Sequence, residues 1–272
     1  MSTEWCQRTE MLLGREAIDL LSKARVAVFG IGGVGGYIVE ALVRSGIGSL
    51  DLIDKDEVSE SNLNRQIIAT RKTLGKNKTK VARERVLSIN PDCKVLIHPV
   101  FYLPETADTF DFTQYDYVVD AIDTVTGKLA IIEKAVREGV PVISCMGTGN
   151  KLDPSQLRVS DLYETSVCPL AKVMRRECRK RGIEKLKVVY SKEEPIRPGK
   201  AENLLGLTDN SKPQADSCEK KESAHTEEKR ESESCSAVRR KDTPGSACFV
   251  PAAAGLLIAS VVVRDIIKRS EQ

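Results

Sequence analysis

Residues 30–36 read GIGGVGG, directly after the apolar run RVAVF and directly before YIVEALVRSG. Glycine has the most backbone freedom to lose on folding, so such a cluster is expensive inside a strand or helix. It marks a turn where the backbone must come close to something. A strand, a glycine turn and a helix in this order turn backbone N–H groups and a helix N-terminus toward phosphate. Gly30, Gly32 and Gly35 fit G-x-G-x-x-G, with Gly33 between them, and Asp54 closes the next apolar run, SLDLID (49–54). That acid stands 19 residues after Gly35, in register to accept from a ribose hydroxyl. A bare structural turn would need none of this register.

The same alternation continues along the chain. TEMLLGREAIDLLSKA (9–24) has apolar residues at helical spacing, with Thr9 as the expected N-cap. RVAVFG (25–30) reads as a buried strand, and VGGYIVEALVRSG (34–46) as a helix ended by Gly46. GKNKTKVARERVLSIN (75–90) is a basic amphipathic helix, and CKVLIHP (93–99), YDYVVDAID (115–123) and VPVISCM (140–146) are further strands. TGKLAIIEKAVREG supplies the helix before the last of them. This pace predicts an α/β fold: a Rossmann-like, doubly wound, mostly parallel sheet with helices on both faces.

After Gly149 the alternation stops. PLAKVMRRECRKRGIEKLKVVYSKEEP (169–195) reads as a basic helix and a strand, a basic C-terminal extension of the sheet. Residues 201–242 are rich in serine and charge and almost devoid of aromatic or β-branched residues. Such a segment cannot bury enough surface to offset its ordering entropy, so disorder is expected. The expected organisation is therefore a main domain over 1–200, an insertion over 201–242 and a closing helix within 243–272 that packs back. FVPAAAGLLIASVVV (249–263) is shorter than a membrane span and carries an early proline. It is read as a buried helix, without stable membrane insertion. Met11, Leu12 and Leu13 are likewise assigned to the core.

Net charge is only +3, so no global charge announces nucleic acid. The eight cysteines (6, 93, 145, 168, 178, 218, 235 and 248) form no C-x-x-C pair, which argues against a common zinc site. The opening MSTEWCQRTE lacks an apolar stretch, so a signal peptide is not expected and a reducing, cytoplasmic location is. Histidine occurs only at 98 and 225, the second inside the serine-rich segment, which disfavours histidine-based acid–base or metal chemistry.

The glycine loop alone would suit a nicotinamide dinucleotide that stays intact. The residues after Asp54 point elsewhere. DKDEVSESNLNRQIIATRKTLGKNK gathers Asp54, Asp56, Asn62, Arg65, Gln66 and Lys78 within 25 residues. Two cations and carboxamides beside a phosphate loop suit a triphosphate whose charge must be neutralised as a bond breaks. Hydride transfer has no use for them.

Through GIGGVGG, LIDKDEVSESNLNRQ, GKNK and DAID, the chain resembles the ThiF/MoeB/HesA superfamily, relatives of the ubiquitin-activating enzymes. The resemblance implies adenylation of a carboxylate with ATP and Mg²⁺, and a ThiF-type adenylating domain over 1–200. It implies that Gly30, Gly32, Gly33, Gly35, Asp54, Asp56, Asn62 and Gln66 hold the nucleotide, Asp54 at the ribose. Arg65 and Lys78, with Asn62, would meet phosphates. Asp123, taken as ending the strand VVDAID, would hold magnesium. Arg8, in RTEMLLG, would reach the ATP of a second copy, which implies a homodimer.

Within the superfamily the chain resembles the tRNA threonylcarbamoyladenosine dehydratases. NRQIIATRKTLGKNK, SINPDCKV, VVDAIDTVTGK, TGNKLDPSQLRVSDLYET, PLAKVMRR and TPGSACFVPAAAGL carry this likeness over roughly 8–195 and 243–268. The resemblance implies ATP-dependent cyclisation of threonylcarbamoyladenosine next to the anticodon. The substrate's own carbamoyl group attacks the activated carboxyl, with an effective concentration on the order of 10⁵ M or more when well oriented. The rival branch activates the Gly-Gly end of a ubiquitin-like sulfur-carrier protein and typically carries two C-x-x-C pairs, absent here.

The basic segment KVMRRECRKRGIEKLK holds Lys172, Arg175, Arg176, Arg179, Lys180 and Arg181. Phosphate contacts dominate tRNA affinity and need no aromatic readers, so this segment is the expected tRNA contact. A solvated helix face is the plain alternative. Some dehydratases carry a cysteine in the strand matching KLKVVYSKE, linked to a sulfur-relay protein. Val188 stands there in this chain, so that partner is left open and not carried over. Cys168 is expected to pack at a helix N-terminus rather than react.

Overall fold

The computed structural model describes residues 4–196 and 244–269, and the serine-rich segment 201–242 lies outside the described residues. Residues up to Pro195 and from Gly245 onward make one compact unit, and all the elements below belong to it. Its strands are β1 (Arg25–Phe29), β2 (Ser49–Ile53), β3 (Lys94–His98), β4 (Tyr117–Asp120), β5 (Val142–Cys145), β6 (Leu157–Asp161) and β7 (Lys187–Ser191). Its α-helices are α1 (Gln7–Leu13), α2 (Arg15–Lys23), α3 (Gly35–Arg44), α4 (Lys78–Ile89), α5 (Val125–Arg137), α6 (Pro169–Lys180) and α7 (Phe249–Arg269).

The strands join in one sheet in the order β3-β2-β1-β4-β5-β7-β6. Every pairing is parallel except β6 with β7. The chain winds outward from β1 to β3, then returns to place β4 on the other side of β1. The fold is thus Rossmann-like and doubly wound. β6 has no counterpart among the expected strands. As an edge strand with Arg158 and Val159 exposed, LRVSD lacks the buried-run signature of the inner strands.

Alternating residues of β1 feed the two faces. Val26 and Val28 pack with Leu21 of α2, Leu42 of α3, Val86 of α4 and Ile258 of α7. Ala27 and Phe29 pack on the opposite face with Ile131 and Ala135 of α5. Around Phe29 the rings of Tyr102 and Phe112 lie at centroid distances of 4.8 and 5.5 Å. A third cluster joins α5, α6 and β7 through Ile132, Met174 and Val188. Helix α7 is long and apolar enough to cross a membrane, yet half of that stretch is buried within the fold. A Cβ at Gly255 would lie 2.6 Å from the Val34 carbonyl oxygen, so α7 and the start of α3 meet backbone to backbone.

Two expectations for the N-terminus are corrected. The stretch 9–24 is two helices, not one, broken at Gly14 with φ +87°, and Thr9 lies inside α1 rather than capping it. Met11 and Leu12 are not core residues: they are 76% and 82% exposed. The break at Gly14 turns α1 out of phase with α2, so the apolar positions of the two segments do not share a face. Leu13 alone packs against the core.

A buried polar group stitches β1, β2 and β3 below the sheet's carboxyl end. Asp51, 1% exposed, accepts from Arg25 Nε at 2.8 Å, His98 Nε2 at 2.9 Å and the Tyr115 hydroxyl at 3.3 Å. Burial pushes its carboxyl up, but hydrogen bonds from His98 and Arg25 and the Arg25 charge outweigh it and leave the group below its usual range. A folded-state value below the unfolded one means that ionised Asp51 stabilises the fold above about pH 3.9. That contribution is lost as pH falls through the lower folded value. Asp51→Asn should cost about 3 kcal/mol at neutral pH, measured by urea unfolding. The gap to the parent should close as the pH is taken below about 4; a gap independent of pH would contradict the assignment.

Candidate active site

Because β1 lies between β2 and β4, the loops after these three strands open onto one crevice at the sheet's carboxyl end, where doubly wound folds bind nucleotides. The glycine loop joins β1 to α3. Gly30 has φ +89°, and a Cβ there would sit 2.7 Å from the Ala121 carbonyl oxygen. A Cβ at Gly35 would lie 1.7 Å from the Gly30 oxygen. These two positions need glycine for the loop to close at all. Gly32 differs: its nearest neighbour is the Gln66 side-chain nitrogen, 3.9 Å from where a Cβ would be. Its bare surface is kept for something outside the fold. At Gly33 a Cβ would be 3.4 Å from Pro251 and 3.5 Å from the Arg65 stem, so Arg65 and the first turn of α7 flank the loop.

The residues after β2 converge on the same place. Asp54 accepts from the Ile31 N–H at 2.7 Å and from the Asp56 N–H at 2.8 Å, which pins its carboxylate against the glycine loop. Lys78 opens α4, capped by the Asn77 side chain. Its ammonium is 2.9 Å from Asp56, and its side chain is 6% exposed against 53% for Asp56. Asp56 therefore holds Lys78 in place from the solvent side. Arg65 donates to the Ser61 carbonyl at 2.8 Å and to Asn64 Oδ1 at 2.9 Å. Asn62 is buried and accepts from the Ser59 N–H at 3.2 Å, so it shapes the turn that presents Arg65. Gln66 is buried too, and its Oε1 has no partner among the described residues. That oxygen is a buried acceptor left over for a donor outside the described residues, and the nitrogen of the same amide is the atom beside Gly32.

Asp123 does not end a strand: β4 ends at Asp120. Asp123 lies in the loop to α5, exposed and bonded to none of the described residues. A lone carboxylate fits a magnesium ion whose other ligands are phosphates and water, the usual mode for that ion. Among the described residues no cluster of three or more metal-ligating side chains exists, so the protein offers no self-sufficient cage. Arg8 stands exposed on α1, and no bond joins it to the glycine loop.

The reading from sequence missed the group beneath this loop. Lys128 is fully buried, with its ammonium 2.9 Å from Asp120, 2.7 Å from the Cys145 carbonyl and 3.4 Å from Ser144 Oγ. The signal was present: Lys128 shares the helical phase of Ile131, Ile132 and Ala135, so a charge sits on an apolar face. Asn64 was missed as well. It donates to the Ser246 carbonyl at 2.8 Å, tying the start of α7 to the Arg65 turn.

The basic helix α6 is less free than its composition suggests. Glu177 pairs with Arg176, Lys180 and Arg181, each at 3.0 Å. Hydrogen bonds from Lys180, Arg181 and Arg176 hold its carboxyl at about 2. Arg181 also pairs with Glu133 at 2.8 Å. Arg175 is turned inward, donating to the Thr165 carbonyl at 2.8 Å. Lys172, Arg176 and Arg179 form an exposed stripe at helical spacing, Arg176 while paired with Glu177 and Arg179 over the Tyr163 ring at 5.2 Å. Cys168 is buried at the N-cap of α6.

Residues 6–271 match the ThiF family profile. The chain belongs to the ThiF family. It is 37% identical over 266 residues to a tRNA threonylcarbamoyladenosine dehydratase of Bacillus subtilis, covering 97% of this chain and 95% of that protein. The structure of the Escherichia coli tRNA N6-threonylcarbamoyladenosine dehydratase TcdA in complex with ATP matches with a TM-score of 0.80 at 30% identity. That match covers 99% of this chain and 96% of the other. The same enzyme in complex with AMP matches with a TM-score of 0.79 at 32% identity, over 100% and 98% of the two chains. A probable adenylyltransferase/sulfurtransferase of Mycobacterium tuberculosis is 34% identical, but over only 48% of this chain and 33% of that protein.

The two kinds of glycine can be separated by experiment. Gly35→Ala should fail to fold or lose most of its thermal stability, since the added carbon overlaps the Gly30 oxygen. Gly32→Ala should melt close to the parent yet bind ATP at least about tenfold more weakly, a loss of roughly 1.4 kcal/mol, by calorimetry. Equal ATP affinity in Gly32→Ala would mean the nucleotide does not approach this loop.

Proposed function

We propose that this chain is an ATP-dependent tRNA threonylcarbamoyladenosine dehydratase. The observation that carries the reading is a glycine loop with Asp54 pinned against it and two cations in the segment after β2, Arg65 on a turn and Lys78 at the start of α4. The full-length likeness to dehydratases, rather than the partial one to a sulfurtransferase, supports the choice of substrate.

The chemistry has two steps. A carboxylate oxygen of the threonyl group attacks the α-phosphorus of ATP; the new P–O bond forms as the bond to pyrophosphate breaks. The carbamoyl group of the same side chain then closes on the acyl carbon, and AMP leaves with the former carboxylate oxygen as a proton is released. Glycine-loop N–H groups, Arg65 and Lys78 meet the negative charge that grows on the phosphates in the first step. Asp54 orients the ribose, and Asp56 keeps Lys78 directed into the crevice. Magnesium, held through Asp123, would neutralise phosphate charge when bound. The second step needs no protein nucleophile because its nucleophile is already tethered.

Two further parts belong to the same reading. The exposed Met11 and Leu12 of α1, with Trp5 nearly half exposed, suit burial against a second copy. Arg8, on that same helix, would then serve the neighbour's site. The exposed stripe of α6 would grip the anticodon stem, and a cytoplasmic location follows from a tRNA substrate.

ATP–pyrophosphate exchange tests the core of the proposal. Exchange should depend on tRNA carrying threonylcarbamoyladenosine and not on unmodified tRNA or a Gly-Gly-tailed carrier protein. Asp123→Ala and Lys78→Ala should each lower the exchange rate by about 10² or more. Exchange driven by a carrier protein alone would favour the sulfur-carrier branch instead. For the tRNA contact, replacing Lys172, Arg176 and Arg179 together by alanine should weaken binding. The slope of log affinity against log salt should shrink by roughly 2; an unchanged slope would move the tRNA elsewhere.

A further inference from the structure

The Lys128 group lies where the loop bearing Asp123 begins. All its partners are strand ends: Asp120 closes β4, and Ser144 and Cys145 close β5. Asp120 Oδ2 accepts from Lys128 at 2.9 Å and from Ser144 Oγ at 2.5 Å. Its other oxygen, Oδ1, accepts from the Ile122 N–H at 3.3 Å. One carboxylate therefore ties the buried ammonium on one side to the backbone of the loop bearing Asp123 on the other. The Ala121 N–H donates to the Phe29 carbonyl at 2.8 Å, and the Ala121 oxygen lies against Gly30, 2.7 Å from where a Cβ would be. The loop Ala121–Asp123 is thus fixed at its first two residues, while Asp123 itself stands unbonded among the described residues.

A buried ion pair is a poor way to gain stability, since apolar residues of similar volume often serve as well or better. Its place explains it better than its energy does. We propose that Lys128 and Asp120 are positioning residues for adenylation: they set the loop that aims Asp123 at magnesium·ATP. The proposal rests on the reading of Asp123 as the magnesium carboxylate. Neither residue touches the nucleotide in this scheme. Partners behind a metal ligand typically govern about 10–100-fold in metal affinity or activity, although they bind nothing themselves.

The test uses the full chain and ATP binding by calorimetry, in Mg²⁺ and in EDTA, with thermal unfolding alongside. Magnesium should tighten ATP binding in the parent, and Asp123→Ala should abolish that tightening. Lys128→Met should lose about tenfold of the magnesium effect while ATP affinity in EDTA stays within about twofold of the parent. A role confined to stability would lower the melting temperature and leave the magnesium effect whole; that result overturns the proposal and leaves Asp123 in place. If Asp123→Ala keeps the magnesium effect, the magnesium reading falls and the proposal with it. Should Lys128→Met not fold, Ser144→Ala removes only the hydroxyl donor to Asp120 Oδ2. It should weaken the magnesium effect by less than the roughly tenfold expected of Lys128→Met, and an undiminished effect would overturn the proposal equally.

Discussion

The close approach of two backbone segments, Gly30 to the carbonyl of Ala121, is the contact on which the site depends. It exists because β1 pairs with β2 on one side and β4 on the other, so the loops after β1 and β4 leave the sheet side by side. No side chain fits between them, and that fixes the glycine. Once the loops are this close, one ligand can touch the N–H groups of the first and the carboxylate carried by the second. Asp54, leaving β2 on the other flank, completes a crevice with three walls. The position of every other site residue depends on how its own element reaches these walls.

The cations reach them by different means. Lys78 is delivered by a helix start: Asn77 caps α4, and Asp56 accepts the ammonium from outside. Arg65 is delivered by a turn whose geometry is held by Asn62 and Ser59. The stem of Lys78 is buried and its charge is already partnered, whereas Arg65 is bonded only to a carbonyl and an amide. A phosphate arriving at the loop would therefore compete with Asp56 for Lys78 but find the Arg65 charge uncompensated. In the proposed reaction, binding electrostatics would fall first on Arg65, and Lys78 would be drawn in as charge accumulates during bond cleavage.

Much of this was legible in the sequence, because the signals were local. The strand–glycine–helix order gives β1, the loop and α3 nearly to the residue. An acid at the end of SLDLID gives Asp54, and the run GKNKTKVARERVLSIN gives α4, which begins at Lys78 rather than at residue 75. What escaped depended on long-range geometry. Met11 and Leu12 have the spacing of a core face, but only the turn at Gly14 decides which way that face points. β6 is a strand because β7 offers it an edge, not because LRVSD demands it. Asp123 was placed at a strand end by an apolar run that stops three residues earlier, at Asp120, where the side chain meets Lys128 instead of solvent. Lys128 itself was readable only as a charge in the wrong phase of a helix, a signal without meaning until Asp120 is beside it. The pairing of Arg181, just past α6, with Glu133 of α5 likewise joins segments far apart in the chain.

The thiols bear on which branch of the family's chemistry this chain can carry out. A route through a protein thioester needs an accessible thiolate. Burial pushes the Cys93 and Cys178 thiols up to about 11 and Cys145 up to about 12. Cys168 is buried at the N-cap of α6, and Cys248 is half-buried with its sulfur 3.1 Å from the Tyr37 hydroxyl. Among the described residues no cysteine is exposed. A substrate that carries its own nucleophile removes the need for one. The acyl-adenylate is consumed by a neighbouring group of the same molecule, and the enzyme's task after pyrophosphate leaves is to keep water from the acyl carbon until the ring has closed. A reactive cysteine beside the acyl carbon would compete with that task.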